Sequence, residues 1–113
     1  IGSGTEIAMG KRAEKQVLSL ARVLADSAWQ NYVRRIGRAL AQFSLRKDVE
    51  YAFTVLESKE INAFALPGGP LYIYTGLLKL MEDESELAAV LGHEIGHVDG
   101  RHAVRQMQPV VGI

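Results

Sequence analysis

The 113 residues include no cysteine, so neither a disulfide framework nor a thiolate metal site is available to this chain. The absence suits a periplasmic or extracellular protein without requiring one. Net charge is missing too: 13 Lys and Arg balance 13 Asp and Glu. That removes the electrostatic case for nucleic acid or an anionic membrane as partner. Arg34, Arg35 and Arg38 cluster, but as the solvated face of a helix. The longest uncharged stretch, residues 61–78, holds Pro67, Gly68, Gly69 and Pro70 and cannot be a simple membrane-spanning helix. No secretory leader pattern is visible. The chain opens on Ile1, so earlier processing or excision from a longer chain is expected.

What is present is ordinary globular material. Hydrophobic residues make up 48% and charged residues 23%, enough for the core of one small domain or of part of one. Ser3 with Glu6 has the spacing of a capping box, followed by Ala13, Val17, Leu20, Ala21 and Leu24 at helical period. Ser27 with Gln30 repeats the capping signal before Trp29, Val33, Ile36, Leu40 and Phe43. These patterns predict helices over residues 5–24 and 27–43, nearly continuous. The region 49–75 then reads as a sheet. One strand lies in "VEYAFTVLES", a second in "EINAFAL", and a third in "LYIYT" after a "PGGP" turn. "GLLKLM" predicts a short helix. Asp83 with Glu86 caps a last helix, expected from Glu84 to about Met107 and stopped by Pro109. Helices, a small sheet, then a helix make the predicted class α+β.

The last helix carries the chemistry. "HEIGH" places His93 and His97 four residues apart on one helical face, with Glu94 beside them. Two imidazoles at that spacing can bind one zinc ion, and a neighbouring carboxylate can reach a water on that ion without itself ligating. Glu94 would take the water's proton and later hand it to the leaving amine. Leu87, Leu91, Ile95 and Val98 fall roughly opposite the histidines, so the helix is expected to pack on one side and present its ligands on the other. Two histidines merely satisfied by hydrogen bonds in a buried helix are the bland alternative.

Zinc needs a further protein ligand, and His102 is the nearest candidate. Gly100 imitates the glycine of H-E-x-x-H-x-x-G-x-x-H, but the position for the third histidine is Ala103. On a continuous helix His102 points about 160° away from the other two, so it ligates only if the helix breaks at Gly100. Otherwise it supports the site indirectly or lies on the surface. Gly96 and Gly100 flank the histidine face, which suits either close approach of another element or tight helix packing.

"NAFALPGGPLYIYTGLL" followed by "ELAAVLGHEIGHVDGRHAVRQ" resembles the HtpX-like and CAAX-prenyl-protease family of zinc metallopeptidases, which are gluzincins. The resemblance covers most of the chain and is densest over residues 61–106. It implies a zincin-like fold, zinc held one ion per site by His93 and His97, and Glu94 as catalytic base. It also implies a third ligand, a glutamate on a later helix. Every glutamate here except Glu94 lies upstream of the motif, so residues 1–113 are expected to be the N-terminal portion of an incomplete catalytic domain, weak in zinc binding and low in activity alone. The strand before the zinc helix is, by the same resemblance, the edge along which an extended peptide lies, which nominates Pro70, Leu71, Tyr72 and Ile73. Asn62, Gly68 and Gly69 match the family block and are expected to shape the turn beside the cleft.

With no membrane span, the chain is similar to the soluble bacterial branch, whose members are typically periplasmic or lipid-anchored and act in envelope protein quality control. The resemblance therefore implies a zinc endopeptidase acting on peptide or unfolded protein. A protein-binding or chaperone-like module that keeps the motif without catalysis is the alternative, and a small hydrolase recruiting His102 is a third reading. The first and third require metal and the second does not. An incomplete core is also expected to expose apolar surface and self-associate.

Overall fold

A computed structural model describes residues 2–101. The elements run α1 (Ser3–Leu20), α2 (Ser27–Ala41), β1 (Ala52–Leu56), β2 (Ala63–Ala65), β3 (Pro70–Tyr74), α3 (Thr75–Leu78) and α4 (Glu84–Asp99). The α+β class is as the sequence predicts. Helices α2 and α4 cover one face of a three-stranded sheet, burying Val33, Phe53, Val55, Leu71, Ile73, Leu87, Leu91, Ile95 and Val98 in one cluster. Each such side chain contributes about 1.5–3 kcal/mol. Tyr72 points to the opposite face, where its ring stacks on Phe64 and its hydroxyl donates to Glu14 of α1 at 2.7 Å.

Helix α1 departs from its sequence reading. Ser3 is its first helical residue and Gly2 the N-cap, with no side-chain cap. Glu6 is instead buried, and Arg46 Nη1 donates to it at 2.6 Å. Of the predicted apolar stripe, Ala13, Val17, Ala21 and Leu24 are partly buried, while Leu20 is 90% exposed. The closest approach is at Gly10, where an added Cβ would stand 1.7 Å from the Pro67 carbonyl oxygen. The helix also stops at Leu20 rather than Leu24, because the residues that follow pair with the sheet. Leu24 N–H donates to Val55 O at 3.0 Å, Glu57 N–H donates to Arg22 O at 2.7 Å, and Val23 bridges Leu56.

Helix α2 is capped one residue earlier than its pattern suggests. The Asp26 carboxylate accepts from Ala28 N–H and Trp29 N–H at 2.9 and 3.3 Å. Gln30, read as part of that cap, works elsewhere. Its amide nitrogen donates to Leu24 O and Val55 O, and its oxygen accepts from Val55 N–H. The helix ends at Ala41, leaving Phe43 82% exposed.

The strand order is β1-β3-β2, with β3 parallel to β1 and antiparallel to β2. This corrects the edge assignment of Pro70, Leu71, Tyr72 and Ile73. They form the central strand, whose backbone is engaged on both sides, and Leu71, Tyr72 and Ile73 are buried. The "PGGP" turn joins β2 to β3 through Gly68 and Gly69 at φ 88° and 124°, a region that glycine alone enters without strain.

The outer edge of β1 is closed by Val23, Leu24 and the Gln30 amide. The outer edge of β2 pairs with no strand among the described residues. Leu66 N–H donates to Pro70 O and Tyr74 N–H to Asn62 O, so by antiparallel alternation the backbone groups of Ala63 and Ala65 point outward. The Asn62 side-chain oxygen accepts from the Ala63 N–H at 2.9 Å.

Asp83 caps α4 as expected, accepting from Glu86 N–H at 3.1 Å, while the Glu86 carboxylate accepts from Glu82 N–H. Tyr32 of α2 donates to Glu84 at 2.7 Å. Leu87, Leu91, Ile95 and Val98 form the buried stripe. The helix closes at Asp99 with Gly100 as C-cap, and Arg101 takes φ 53°. The predicted continuation from residue 102 to Met107, and the stop at Pro109, lie outside the described residues. No described helix is long and apolar enough to cross a membrane.

Candidate metal centre

Helical period and one-sided burial bring the motif together. His93 Nε2 and His97 Nε2 stand 3.0 Å apart, with ring planes at 81°. The Glu94 carboxylate joins them, and one ligand atom from each of the three lies within 4.8 Å of the others. A tetrahedral zinc with Zn–N bonds of about 2.0–2.1 Å would hold two nitrogens about 3.3 Å apart, so this pair fits the ion with little adjustment. Coordination through Nε2 also leaves each ring proton on Nδ1.

The surroundings differ across the site. His93 is exposed, while Glu94 and His97 are partly buried. Burial pushes the Glu94 carboxyl above its ordinary value, and the two imidazoles pull it partly back. A carboxyl raised in this way is a better proton acceptor than an exposed one. Among the described residues, a Cβ at Gly92 or Gly96 would meet nothing within 4 Å. Neither the close approach nor the tight packing expected at Gly96 is therefore seen there among the described residues. On the other flank, His97 shares a small cavity with Ala65, Leu66 and Pro67, which sets the end of β2 and the turn beside the histidine pair.

His102 lies outside the described residues. The geometric objection to it assumed an unbroken helix, and α4 ends before that position with a left-handed residue at Arg101. A cleft of about 540 Å³ is lined by residues including Lys11, Glu14, Asp48 and Glu50. Neither His93 nor His97 lines it, so the convergent nitrogens and carboxylate mark the chemistry better than volume does.

The sequence reading missed the polar network that holds the C-terminal end of α4. Asp99 accepts from Ser44 Oγ, from Tyr51 OH at 2.7 Å and from Leu45 N–H at 3.3 Å. Burial would raise the Asp99 carboxyl, but these donors hold it below its usual range. Arg46 donates to Val98 O at 3.3 Å, to Glu6, and through two nitrogens to Asp48. The Arg46 hydrogen bonds hold the Asp48 carboxyl down at about 2. No local pattern announces such a network, because its members lie far apart along the chain.

The model of peptidase family M48 matches residues 27–112. The chain belongs to this family. Over 105 residues it is 32% identical to the beta-barrel assembly-enhancing protease of Escherichia coli (strain K12), covering 93% of this chain and 22% of that protein. It is 36% identical over 88 residues to the metalloprotease LoiP of the same organism, covering 78% and 34% of the two chains. A mitochondrial metalloendopeptidase of Arabidopsis thaliana is 35% identical over 81 residues, 72% of this chain and 17% of that one. The chain thus spans about a sixth to a third of the length of these relatives. The family is one of metallopeptidases, and the histidine pair and carboxylate lie within its matched region.

Proposed function

We propose that this chain carries the zinc-binding helix and substrate edge of a zinc-dependent endopeptidase. The observation that supports this best is the convergence of His93 Nε2, His97 Nε2 and the Glu94 carboxylate on one open side of α4. His93 and His97 hold the ion, and Glu94 stays free to move protons. Zinc supplies Lewis acidity there, polarising a carbonyl and acidifying water. Glu94 accepts the proton of the attacking water and returns it to the leaving amine. The two histidines fill two of four positions, so zinc affinity and turnover of residues 1–113 alone are low.

The substrate lies along β2 rather than β3. Ala65 turns its N–H and C=O to the open edge and sits beside the His97 cavity, so an extended peptide pairing there passes the metal. Backbone pairing accepts many sequences, which suits peptide or unfolded-protein substrates. The E. coli relatives carry names that place them as proteases, one of them in β-barrel assembly. A periplasmic or envelope-associated role in protein quality control is the corresponding reading for this chain.

The test is zinc titration together with hydrolysis of an unfolded protein. Glu94→Gln should retain zinc and lower the rate by about 10²–10⁴-fold. Turnover that survives both Glu94→Gln and zinc chelation would sink the reading.

A further inference from the structure

One buried ion pair joins three parts of the fold. Glu6 of α1 and Arg46, between α2 and β1, have side chains 1% and 7% exposed. Glu6 Oε2 accepts from Gly68 N–H at 3.3 Å and from Arg46 Nη1 at 2.6 Å. The same Nη1 also donates to Val98 O at 3.3 Å. One oxygen and one nitrogen thus connect the turn after β2 to the end of α4 that carries His97. Asp48 takes the rest of the guanidinium at 3.1 and 2.7 Å, which fixes the plane of the fork.

Helix α1 meets that turn backbone to backbone. An added Cβ at Gly10 would stand 1.7 Å from Pro67 O, and one at Gly68 would stand 2.8 Å from Ile7 Cα. Glu6 completes the contact by accepting the turn's N–H. Strand β2 has little grip of its own. It spans three residues and meets the core through Ala63 and Ala65, whose single methyl groups make few of the contacts that lock packed elements together. A buried ion pair is a weak stability device, since apolar residues of similar volume often serve as well or better. Apolar residues could not, however, bond a turn amide and a helix carbonyl at fixed lengths.

We propose that Glu6 and Arg46 form a positioning unit, which sets the end of β2 at a fixed place relative to the histidines of α4. A peptide paired along β2 is then presented to the metal centre at one distance. Neither residue touches metal or peptide, and the inference rests on the zinc and β2 readings above. A misplacement of about 1 Å can cost about 100-fold in rate, so breaking the junction should slow turnover without removing metal or peptide.

Amide hydrogen exchange of the metal-free protein and pseudocontact shifts from bound cobalt(II) test it. Glu6→Met combined with Arg46→Met keeps volume and removes both charges. Arg46→Lys keeps the charge and loses the fork. Gly10→Ala presses α1 off the turn without altering the pair. Leu66 N–H closes the turn on Pro70 O at 2.8 Å, and Gly100 N–H ends α4 on Gly96 O at 2.9 Å. In each variant these two amides should exchange faster together, by about five- to tenfold, the worth of one hydrogen bond. The Val55 and Ile73 amides should hold. With cobalt(II) bound, the shifts of the Ala63 and Ala65 amides should move while those of Leu91 stay. Hydrolysis of unfolded casein should lose about 10–100-fold in kcat, with KM and zinc affinity unchanged. Uniform quickening of all amides, or a response to Gly10→Ala at Leu66 without one at Gly100, would reduce the pair to a structural one and overturn the inference. If the double variant does not fold, as judged by circular dichroism, the two single variants carry the test. If the unmutated protein binds neither zinc nor cobalt(II), the zinc reading falls by itself, and the metal-free exchange pattern still decides whether the junction exists.

Discussion

Along β1 the outer edge of the sheet is closed by the chain itself, whereas along β2 it pairs with no strand among the described residues. On the closed side, residues 21–24 abandon helix to run beside β1, and one glutamine amide supplies three further hydrogen bonds. On the other side, a three-residue strand turns the backbone of two alanines outward, and Ala65 lines the small cavity it shares with His97. Unpaired strand edges invite association, and proteins ordinarily blunt them. The chain blunts the edge remote from the histidines, and the near one is a short strand of small and partly buried residues with no strand partner among the described residues. On the peptide-pairing reading proposed above, the difference separates a stability device from a substrate device within one sheet.

Four changes can break or sharpen that contrast. The largest effect is expected from Gln30→Ala, which leaves Val55 and Leu24 backbone groups without partners and should destabilise the fold by about 2–3 kcal/mol in urea unfolding. Peptide affinity should be unchanged, and a loss of affinity without a loss of stability would reverse the assignment. Next is Ala65→Pro. Its N–H faces outward, so the sheet loses no internal bond, yet peptide pairing loses its rung. The expected result is a rise in KM of about tenfold, or about 1.4 kcal/mol, with little change in unfolding midpoint.

Acid should act on the closed side first. The turn feeding β1 is held by the Arg46–Asp48 pair, and the folded Asp48 carboxyl is lowered from 3.8 to about 2. A depressed carboxyl stabilises fully above its unfolded value and loses that contribution as pH falls toward its folded one. Stability should therefore drop between about pH 4 and pH 2, and Asp48→Asn should flatten that slope, as read from urea midpoints across pH. The three residues of β2 carry no titratable group. The smallest effect is expected at Arg22→Ala, which removes the exposed pair with Glu57 at 3.2 Å on the closed edge. Such pairs contribute about 0–1 kcal/mol, so a midpoint shift above that range would show that this edge depends on charge rather than on backbone pairing.

The sequence made the helix of His93 and His97 legible because its signals are local and periodic: a cap at Asp83, a stripe from Leu87 to Val98, and two histidines one turn apart. The glycine turn between β2 and β3 was legible for the same reason. Strand neighbours were not. Alternation along "LYIYT" says which side chains share a face but not which strands lie on either side, and the central place of β3 depends on a parallel partner many residues upstream. Glu6 shows the sharper limit. Its spacing from Ser3 matches a helix cap, a rule confined to four residues. Its actual partners, Arg46 and Gly68, are chosen by the packing of α1 across the turn. Asp99 was unreadable in the same way, since Ser44 and Tyr51 reach it only once β1 and α2 have met α4.

Helix α4 is fastened at both ends, by Asp83 and Tyr32 where it starts and by Ser44, Tyr51 and Arg46 where it stops. Free helix ends fray, and the motif occupies the last turns of this one, where fraying would spread the two imidazoles. With both ends held, the gap between the ring nitrogens becomes a property of the folded protein rather than of whatever ion arrives. On the zinc reading proposed above, metal capture needs little further ordering of the chain. The pair would then act as a caliper set during folding, favouring ions whose bond lengths match its opening over those that would have to force it wider.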